Sequence, residues 1–338
     1  MNAKTGSPSL LHLIILQIYF PVVPSAPMTE DMDALQLEVF RNYHNLPLAR
    51  SAMTLISRMC DITMSPVMEV ILKTDSGSDV HAILKLYDRR VQISGTGGTE
   101  GELILLSASS FLDDGTPEGT QQCNEHFDYE VEAYERLGDL QGTTIPRMLA
   151  CVRLSPMTSG MPPDLLETPM ARYWDVRGVL LQLIPGYNLF DLPTSTLAPS
   201  DPKEWSVLVQ SAVDLAHEIN RRGVIMDGCS PRNVVVDGQS QAPFVIDFAQ
   251  CNFEDKIIAM WEELLESGEE GEDADFDAEV EYWKRVRGTD NPGVIGSVMA
   301  TRVLRGKCIE LEIQYPHIYR IISDVKRAKL LDGAVEAC

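Results

Sequence analysis

The sequence lacks several features by which common classes of protein are recognised. Its seven cysteines stand singly with no CxxC pair, so they fit neither a disulfide framework nor a zinc site, and free thiols in a reducing compartment are expected. No apolar run reaches the roughly 18 residues needed to span a bilayer. Basic residues are few, 28 against 50 acidic ones, and the resulting charge of −22 would repel a phosphate backbone. Nucleic acid is therefore not an expected partner.

The N-terminal stretch has two interpretations. Residues 10–20, LLHLIILQIYF, follow Lys4 and precede VPSAP, an order that loosely resembles a signal peptide with a small-residue exit. His12 and Gln17 interrupt the apolar core, which favours a dispensable extension over residues 1–45 instead. We therefore expect a cytoplasmic or nuclear protein, and secretion is the alternative.

Residues 46–184 predict mainly strands with one helix. Between residues 30 and 60, apolar positions recur at helical spacing, which predicts short helices leading into this part. Residues 67–72 and 80–87 are β-branched, apolar runs on either side of the turn sequence DSGS, so they predict a hairpin. The polar residues 89–126 predict a long insertion. A further helix and two strands are predicted at residues 127–137, 145–152 and 176–184.

Residues 185–338 predict a mainly helical second part. Residues 204–221 form an amphipathic pattern in which Leu208 and Ile219 lie on the inward face. Residues 262–281 are densely acidic with Gly and Ser at their centre, a composition typical of a solvated loop. A chain of 338 residues is long enough for two lobes, and the change in pattern places their boundary near residue 185.

Four short motifs follow one another along the chain. Lys85 stands in AILKLYD, Glu130 in FDYEVEAYERL, Asn233 at the end of SPRN and Asp247 in IDF. Their order resembles the strand Lys, the helix Glu, the end of the catalytic loop and the metal motif of protein kinases. The phrases PRNVVVD and FVIDFAQC resemble divergent fungal kinase-like proteins and the aminoglycoside and choline phosphotransferase group more than they resemble typical protein kinases. The resemblance implies an α+β, two-lobed protein-kinase-like fold.

The same resemblance implies a site for ATP and Mg²⁺. Lys85 would contact the phosphates with Glu130 as its partner, and Gln182 in LLQLIPG falls where the strand between the lobes meets adenine. Asn233 and Asp247 would bind the metal, because Mg²⁺ prefers hard oxygen ligands.

The sequence also predicts how the two metal ligands come together. Residues 234–236 and 243–246 are apolar runs on either side of the turn sequence DGQSQ, and they predict a hairpin. Such a hairpin would bring Asn233 and Asp247 side by side.

Several departures from the kinase pattern bear on catalysis. CDITMSP stands where a Gly-rich phosphate cover is expected, and GTGGTEG lies beyond the Lys strand, where it is interpreted as a flexible linker. Ala249 replaces the glycine of the metal motif, and no A-P-E sequence follows. Regulation by phosphorylation of an activation segment is therefore not expected.

The residue expected to act as general base is missing. The pattern H-x-D-x-x-x-x-N places an Asp five residues before the Asn, and counting back from Asn233 reaches Gly228. Either the loop is shifted by one residue and Asp227 is the catalytic base, or the protein has no base. General-base catalysis contributes about 10² to 10⁴-fold, so a weak kinase or a pseudokinase is expected. If active, the chain would transfer the γ-phosphate of ATP to a hydroxyl acceptor.

A function of a different class remains open. The chain could use the fold only as an interaction scaffold, with the acidic residues 262–281 binding a basic protein partner. The sequence predicts neither the phosphate acceptor nor the oligomeric state.

Overall fold

The computed structural model describes residues 34–43, 51–59, 65–73, 79–88, 91–94, 102–105, 118–154, 167, 175–267 and 276–336. These residues form two compact units. The first contains the described residues up to Asp128 together with Arg147–Leu183, and the second contains Tyr129–Pro146 together with the residues from Ile184 onward.

The first unit is built on a curled, closed antiparallel sheet of six strands. In chain order they are β1 (Ala34–Asn42), β2 (Ser51–Met59), β3 (Val67–Lys73), β4 (Asp79–Tyr87), β7 (Met148–Leu154) and β8 (Arg177–Gln182). Around the sheet the order is β1, β2, β3, β4, β8 and β7, and β7 pairs with β1 to close it. Two further strands, β5 (Val91–Ser94) and β6 (Glu102–Leu105), form a separate hairpin within the predicted insertion.

Alternating side chains of this sheet fill its interior. Met68, Val70 and Leu72 of β3 are fully buried, and Leu84 and Leu86 of β4 are buried with the same period of two. Successive side chains of a strand point to opposite faces, so this alternation directs one apolar face of each strand inward. The burial of each such side chain contributes about 1.5–3 kcal/mol. The hairpin predicted at residues 67–72 and 80–87 is confirmed, with Val70 opposite Ala82.

The prediction of helices between residues 30 and 60 is wrong. Ala34–Asn42 and Ser51–Met59 are strands, and β1 lies within residues 1–45, which the sequence assigned to an extension. The register of β1 against β7 shifts between Val39 and Arg41, and that of β2 against β3 shifts between Ile56 and Arg58. The shift in β1 interrupts the period-two alternation at Phe40, so Leu37 and Phe40 stand three residues apart, as they would on one face of a helix.

The second unit is mainly helical. Its helices are α2 (Pro202–Arg221), α3 (Glu254–Ser267), α4 (Ala278–Thr289), α5 (Asn291–Lys307) and α6 (Ile318–Glu336), and the last residues of α1 (Glu118–Arg136) also belong to it. The predicted amphipathic helix is confirmed as α2, which begins after the capping residue Asp201 and packs against α5. Helix α1 begins at Glu118, inside the stretch predicted as an insertion.

Short strands in the second unit position the loops that matter for function. They are β9 (Gly186–Asn188), β10 (Val224–Met226), β11 (Val234–Asp237), β12 (Pro243–Val245) and β13 (Cys251–Phe253). β11 lies between β12 and β9, and β10 pairs with β13. Gly186 of β9 allows a close approach to β11, because a Cβ there would lie 1.8 Å from the Val236 carbonyl oxygen.

The order of elements confirms the predicted α+β, protein-kinase-like fold class: an antiparallel sheet with one helix, followed by a mainly helical unit. Across the part of the chain that the structure describes, none of the helices has the length and apolarity that a membrane crossing requires. The predicted signal-like residues 10–20 lie outside the described residues.

Candidate functional site

The hairpin of β11 and β12 brings two predicted metal ligands to one end of the same ladder. Val234 pairs with Val245, and the Ile246 amide donates to the Asn233 carbonyl oxygen over 2.9 Å. Asn233 directly precedes β11 and Asp247 directly follows Ile246, so their backbones are neighbours although they are far apart in sequence. The hairpin predicted around DGQSQ is confirmed.

Asp247 has an unusual backbone conformation. Its φ of 68° lies in the left-handed region, which costs an L-residue roughly 1–2 kcal/mol and is tolerated best by Asn and Asp among the side chains with a Cβ. Phe248, the next residue, is fully buried and its ring packs edge-on against Tyr134 at a centroid distance of 5.4 Å. The buried Phe248 therefore anchors the turn that presents Asp247. Conformations of this kind are frequent at functional sites.

Two carboxylates influence the Tyr134 hydroxyl. Tyr134 is fully buried, and its hydroxyl makes no hydrogen bond to any residue that the structure describes. Burial raises the pKa of Tyr134 well above its ordinary value, and the charges of Glu130 and Asp247 raise it further. Glu130, itself fully buried on α1, and Asp247 are thus close enough to act on one hydroxyl group.

The loop after β10 is closed by a bond between its two ends. Asn233 Nδ2 donates to the Gly228 carbonyl oxygen over 2.9 Å, joining residues that are five apart in sequence. Between them, Ser230 Oγ accepts from the Arg232 amide over 3.2 Å and caps the short 3-10 turn Pro231–Asn233. A Cβ at position 228 would lie 3.1 Å from Gln250 Oε1. Gly228 therefore occupies the position five residues before Asn233 within a compact loop.

The Asp227 carboxylate is held by two neighbouring side chains. Asn252 Nδ2 donates to it over 2.5 Å, and Arg285 Nη2 lies 3.2 Å and 3.4 Å from its two oxygens. The Asp227 amide donates to the Gln250 carbonyl oxygen over 2.9 Å, which continues the pairing of β10 and β13. A proton transfer to Asp227 would compete with this ion pair.

A buried amide network supports the start of the same loop. Asn291 Nδ2 donates to the Met226 carbonyl oxygen over 2.6 Å, and Asn291 Oδ1 accepts from the Met226 amide over 3.1 Å. Asn220 Nδ2 donates both to Asn291 Oδ1 over 2.8 Å and to the Val224 carbonyl oxygen over 2.9 Å. Both Asn side chains are fully buried, so α2 and α5 fix the backbone of β10 directly.

Sequence reasoning missed Asn291 because its environment in the sequence, TDNPG, indicates only the start of a helix. Its partner Met226 lies 65 residues away. Arg285 and Asn252 were also missed, because they contact Asp227 from 58 and 25 residues away in sequence. The one local sign was the interruption of an apolar helix pattern by an Asn at position 220.

In the first unit, Lys85 lies at the centre of the sheet. It stands on β4 between Val67 of β3 and Val179 of β8, and only 6% of the residue is exposed. Its Nζ lies 5.4 Å from the centroid of the Tyr87 ring. Burying an ammonium group is costly, so a Lys at this position is not an ordinary solvated strand residue. Gly178 fits the sheet closely here, since a Cβ on it would lie 2.7 Å from the Lys85 carbonyl oxygen.

The side chain of Gln182 bonds within the first unit. Its Oε1 accepts from the Arg147 backbone amide over 3.2 Å, and the Gln182 backbone amide donates to the Arg147 carbonyl oxygen over 2.8 Å. These bonds tie the end of β8 to the residue before β7. Of the predicted site residues, Lys85 and Gln182 belong to the first unit, and Glu130, Asp227, Asn233 and Asp247 belong to the second.

The acidic stretch 262–281 is described only at its two ends. Residues 262–267 close α3, and residues 276–281 open α4. Asp277 caps α4 by accepting from the Val280 amide, and it forms an ion pair with Lys329 at 2.8 Å. Part of the predicted interaction surface therefore has a structural role, and residues 268–275 lie outside the described part of the chain.

Among the described residues, no group of three or more His, Cys, Asp or Glu side chains is arranged to hold a metal ion. Mg²⁺ in phosphoryl-transfer sites does not require such a group, because one or two protein oxygens, substrate phosphates and water complete its coordination. The donor types at Asn233 and Asp247 fit that ion.

No protein-family model and no curated protein matches this chain. Among solved structures, the PknI kinase domain of Mycobacterium tuberculosis matches with a TM-score of 0.32 and 14% identity, over 58% of this chain and 58% of that one. The protein described as PpkA-294, in its apo form, matches with a TM-score of 0.37 and 12% identity, over 58% of each chain. Each match thus spans less than two thirds of the kinase structure.

Proposed function

We propose that the chain is a kinase-fold protein that binds ATP with Mg²⁺ and transfers phosphate weakly or not at all. The observation that carries this proposal is the bond from Asn233 Nδ2 to the Gly228 carbonyl oxygen. It supports an unshifted loop in which a residue without a side chain stands where the catalytic Asp is expected. The chain retains the residue types for binding and lacks the one for proton transfer.

The metal-binding half of the proposal rests on the second unit alone. Because Asn233 Nδ2 is engaged by Gly228, its Oδ1 is the atom that remains for a cation. Asp247 would supply a carboxylate oxygen from a turn anchored by the buried Phe248. Bound Mg²⁺ would neutralise charge on the nucleotide phosphates, and these two side chains would orient it.

The phosphate-binding role of Lys85 is supported by its motif and by its burial. A Lys that served only as a solvated strand residue would be exposed, whereas Lys85 is 6% exposed at the centre of a sheet. Glu130, fully buried on α1, has the residue type that the resemblance implies at its position. Gln182 is a weaker candidate for adenine, because its Oε1 and its backbone amide are both bonded to Arg147.

Asp227 is disfavoured as the general base because its carboxylate is held by Asn252 and Arg285. Starting from the usual 1–100 per second of kinases, the loss of a base would leave roughly 10⁻⁴ to 1 per second. A protein with such a rate would act mainly through nucleotide binding.

Thermal unfolding of the full chain with increasing Mg-ATP tests the binding. A ligand that binds only the folded state stabilises it by about 2.7 kcal/mol at 100 times its Kd, so the Tm should rise with nucleotide concentration. Asp247→Asn should abolish the part of the shift that depends on Mg²⁺. Asp201→Asn is the matched control, since Asn caps helix α2 about as well as Asp. No Mg-ATP shift in the wild type, or an equal shift in Asp247→Asn, would contradict the proposal.

A further inference from the structure

A groove of about 570 Å³ lies in the second unit between the turn Leu189–Asp191 and the C-terminal half of α5. One wall is the Phe190 ring. The other follows α5, where Ser297, Thr301 and Arg305 recur every four residues and therefore share one face of the helix. The groove thus combines an aromatic surface with hydroxyl and guanidinium donors.

Two guanidinium groups stack on the Phe190 ring. The Arg302 guanidinium carbon lies 3.6 Å from the ring centroid and that of Arg232 lies 3.9 Å from it. Two such groups do not fit on one face of a ring at these distances, so they occupy opposite faces. Arg302 is also fixed by donating from Nε to the Phe190 carbonyl oxygen, and it lies 3.9 Å from Asp191. The ring and Arg302 form a rigid, positively charged edge of the groove.

The positive charge here is only partly compensated. Other arginines of the second unit, such as Arg136 and Arg222, have carboxylate partners within 3 Å. Neither Arg305 nor Arg232, both exposed, forms an ion pair with any residue in the described ranges. In a chain of net charge −22, these neighbouring arginines form a local basic patch on an acidic protein. Uncompensated guanidinium groups beside hydroxyls are donors suited to an anionic ligand.

We propose that this groove binds an acidic segment of another polypeptide. The Arg305 guanidinium would donate bidentately to a carboxylate or phosphate group, and Arg302 would donate from the nitrogens that its bond to Phe190 leaves, with Ser297 and Thr301 as additional donors. Phe190 and the 39% exposed Val298 would contact the apolar parts of neighbouring residues. The groove would bind an acidic partner, whereas the acidic residues 262–281 were predicted to bind a basic one. The two surfaces are therefore distinct.

The small extent of the basic patch favours a polypeptide over nucleic acid. The basic patch is local, whereas a polynucleotide would extend past it over a strongly acidic protein. The binding itself requires neither nucleotide nor metal, and it goes beyond the proposed function.

The test is fluorescence anisotropy with the full chain, without nucleotide or Mg²⁺. The probes are three fluorescein-labelled peptides with the same Ala spacing: one with Glu residues, one with a phosphoserine in place of the central Glu, and one with Gln in place of every Glu. We expect the Glu or the phosphoserine peptide to bind and the Gln peptide to bind at least about tenfold more weakly, as charge-assisted hydrogen bonds are lost. The tighter of the two anionic peptides identifies which anion the groove prefers.

Arg305→Gln should weaken binding of the anionic peptide by about tenfold, and Arg305→Lys should weaken it less because the charge remains. Arg327→Gln on α6 is the matched control, since it removes the same charge at an exposed position outside the groove. Equal binding of the Gln peptide, no effect of Arg305→Gln, or an equal effect of Arg327→Gln would overturn the proposal. So would an oligouridylate that binds more tightly than both anionic peptides and depends on Arg305.

Discussion

At position 228, a side chain can be added to test whether the loop lacks a general base or uses Asp227 as its base. The Gly228 carbonyl oxygen accepts from Asn233, and a Cβ at this position would meet only Gln250 at the end of a flexible side chain. There is consequently room for a larger residue after a small movement of Gln250. We expect Gly228→Asp to introduce a carboxylate at the position of the catalytic base and to raise transfer of the γ-phosphate of ATP to water by about 10² to 10⁴-fold. Release of labelled phosphate from ATP measures this.

The control for this prediction uses the partner of Asp227. If Asp227 were the base, Asp227→Ala would abolish the turnover of the wild type and Gly228→Asp would not increase it. Because Asp227→Ala also breaks the ion pair with Arg285, Arg285→Gln is the matched variant that breaks the pair and keeps the carboxylate. Turnover that is lost in Asp227→Ala but retained in Arg285→Gln would contradict the proposed missing base.

At the scale of elements, the position of the loop depends on α5. Asn291, the first residue of that helix, bonds to both backbone polar groups of Met226. Asn291→Leu would leave the buried Met226 amide without its partner, at a cost of about 1–3 kcal/mol. It would also remove one bond each from the Met226 carbonyl oxygen and from Asn220 Nδ2, which keep the Cys229 amide and the Val224 carbonyl oxygen. We expect a large loss of stability in urea unfolding followed by Trp fluorescence, and faster hydrogen exchange at the Met226 amide.

The adjacent residue provides the control for Asn291→Leu. Asp290 adopts a left-handed conformation with a φ of 48° and caps α5 by accepting from the Gly293 amide over 3.2 Å. Asn tolerates this conformation and caps helices as well as Asp does, so Asp290→Asn should change stability by less than about 0.5 kcal/mol. Unchanged hydrogen exchange at Met226 in Asn291→Leu would show that the loop does not depend on this contact.

Local patterns predicted the elements that are regular and short-range. The strand alternation of β3 and β4, the amphipathic face of α2, and the hairpin that aligns Asn233 with Asp247 all followed from residues close in sequence. Strand β1 was predicted as a helix because a register shift at Phe40 interrupts its alternation, and β2 because the apolar residues Met53 and Ile56 are three residues apart. The support of the loop by Asn291 was not predictable, since a single buried amide bonding to a backbone 65 residues away leaves no periodic signal.

At the scale of the whole molecule, the charge of −22 opposes folding through mutual repulsion of carboxylates. The ion pairs of the described residues lie mostly at the surface, where each is worth about 0–1 kcal/mol, and salt weakens both effects. Because acidic residues outnumber basic ones by 50 to 28, we expect repulsion to outweigh the surface pairs.

The prediction is that sodium chloride raises the Tm of the full chain. Increasing the salt from about 0.1 M to 1 M shortens the Debye length from about 10 Å to 3 Å. A relief of repulsion of about 1 kcal/mol corresponds to a rise of about 2–4 °C in the Tm of a unit of about 150–250 residues. Replacing the exposed Glu262 and Glu263 of α3 by Lys lowers the net negative charge at positions without an assigned structural role. That variant should have a higher Tm at low salt and a smaller rise with salt, measured by scanning calorimetry. A Tm that falls as salt is added would mean that the surface ion pairs, rather than repulsion, dominate the electrostatic free energy of this fold.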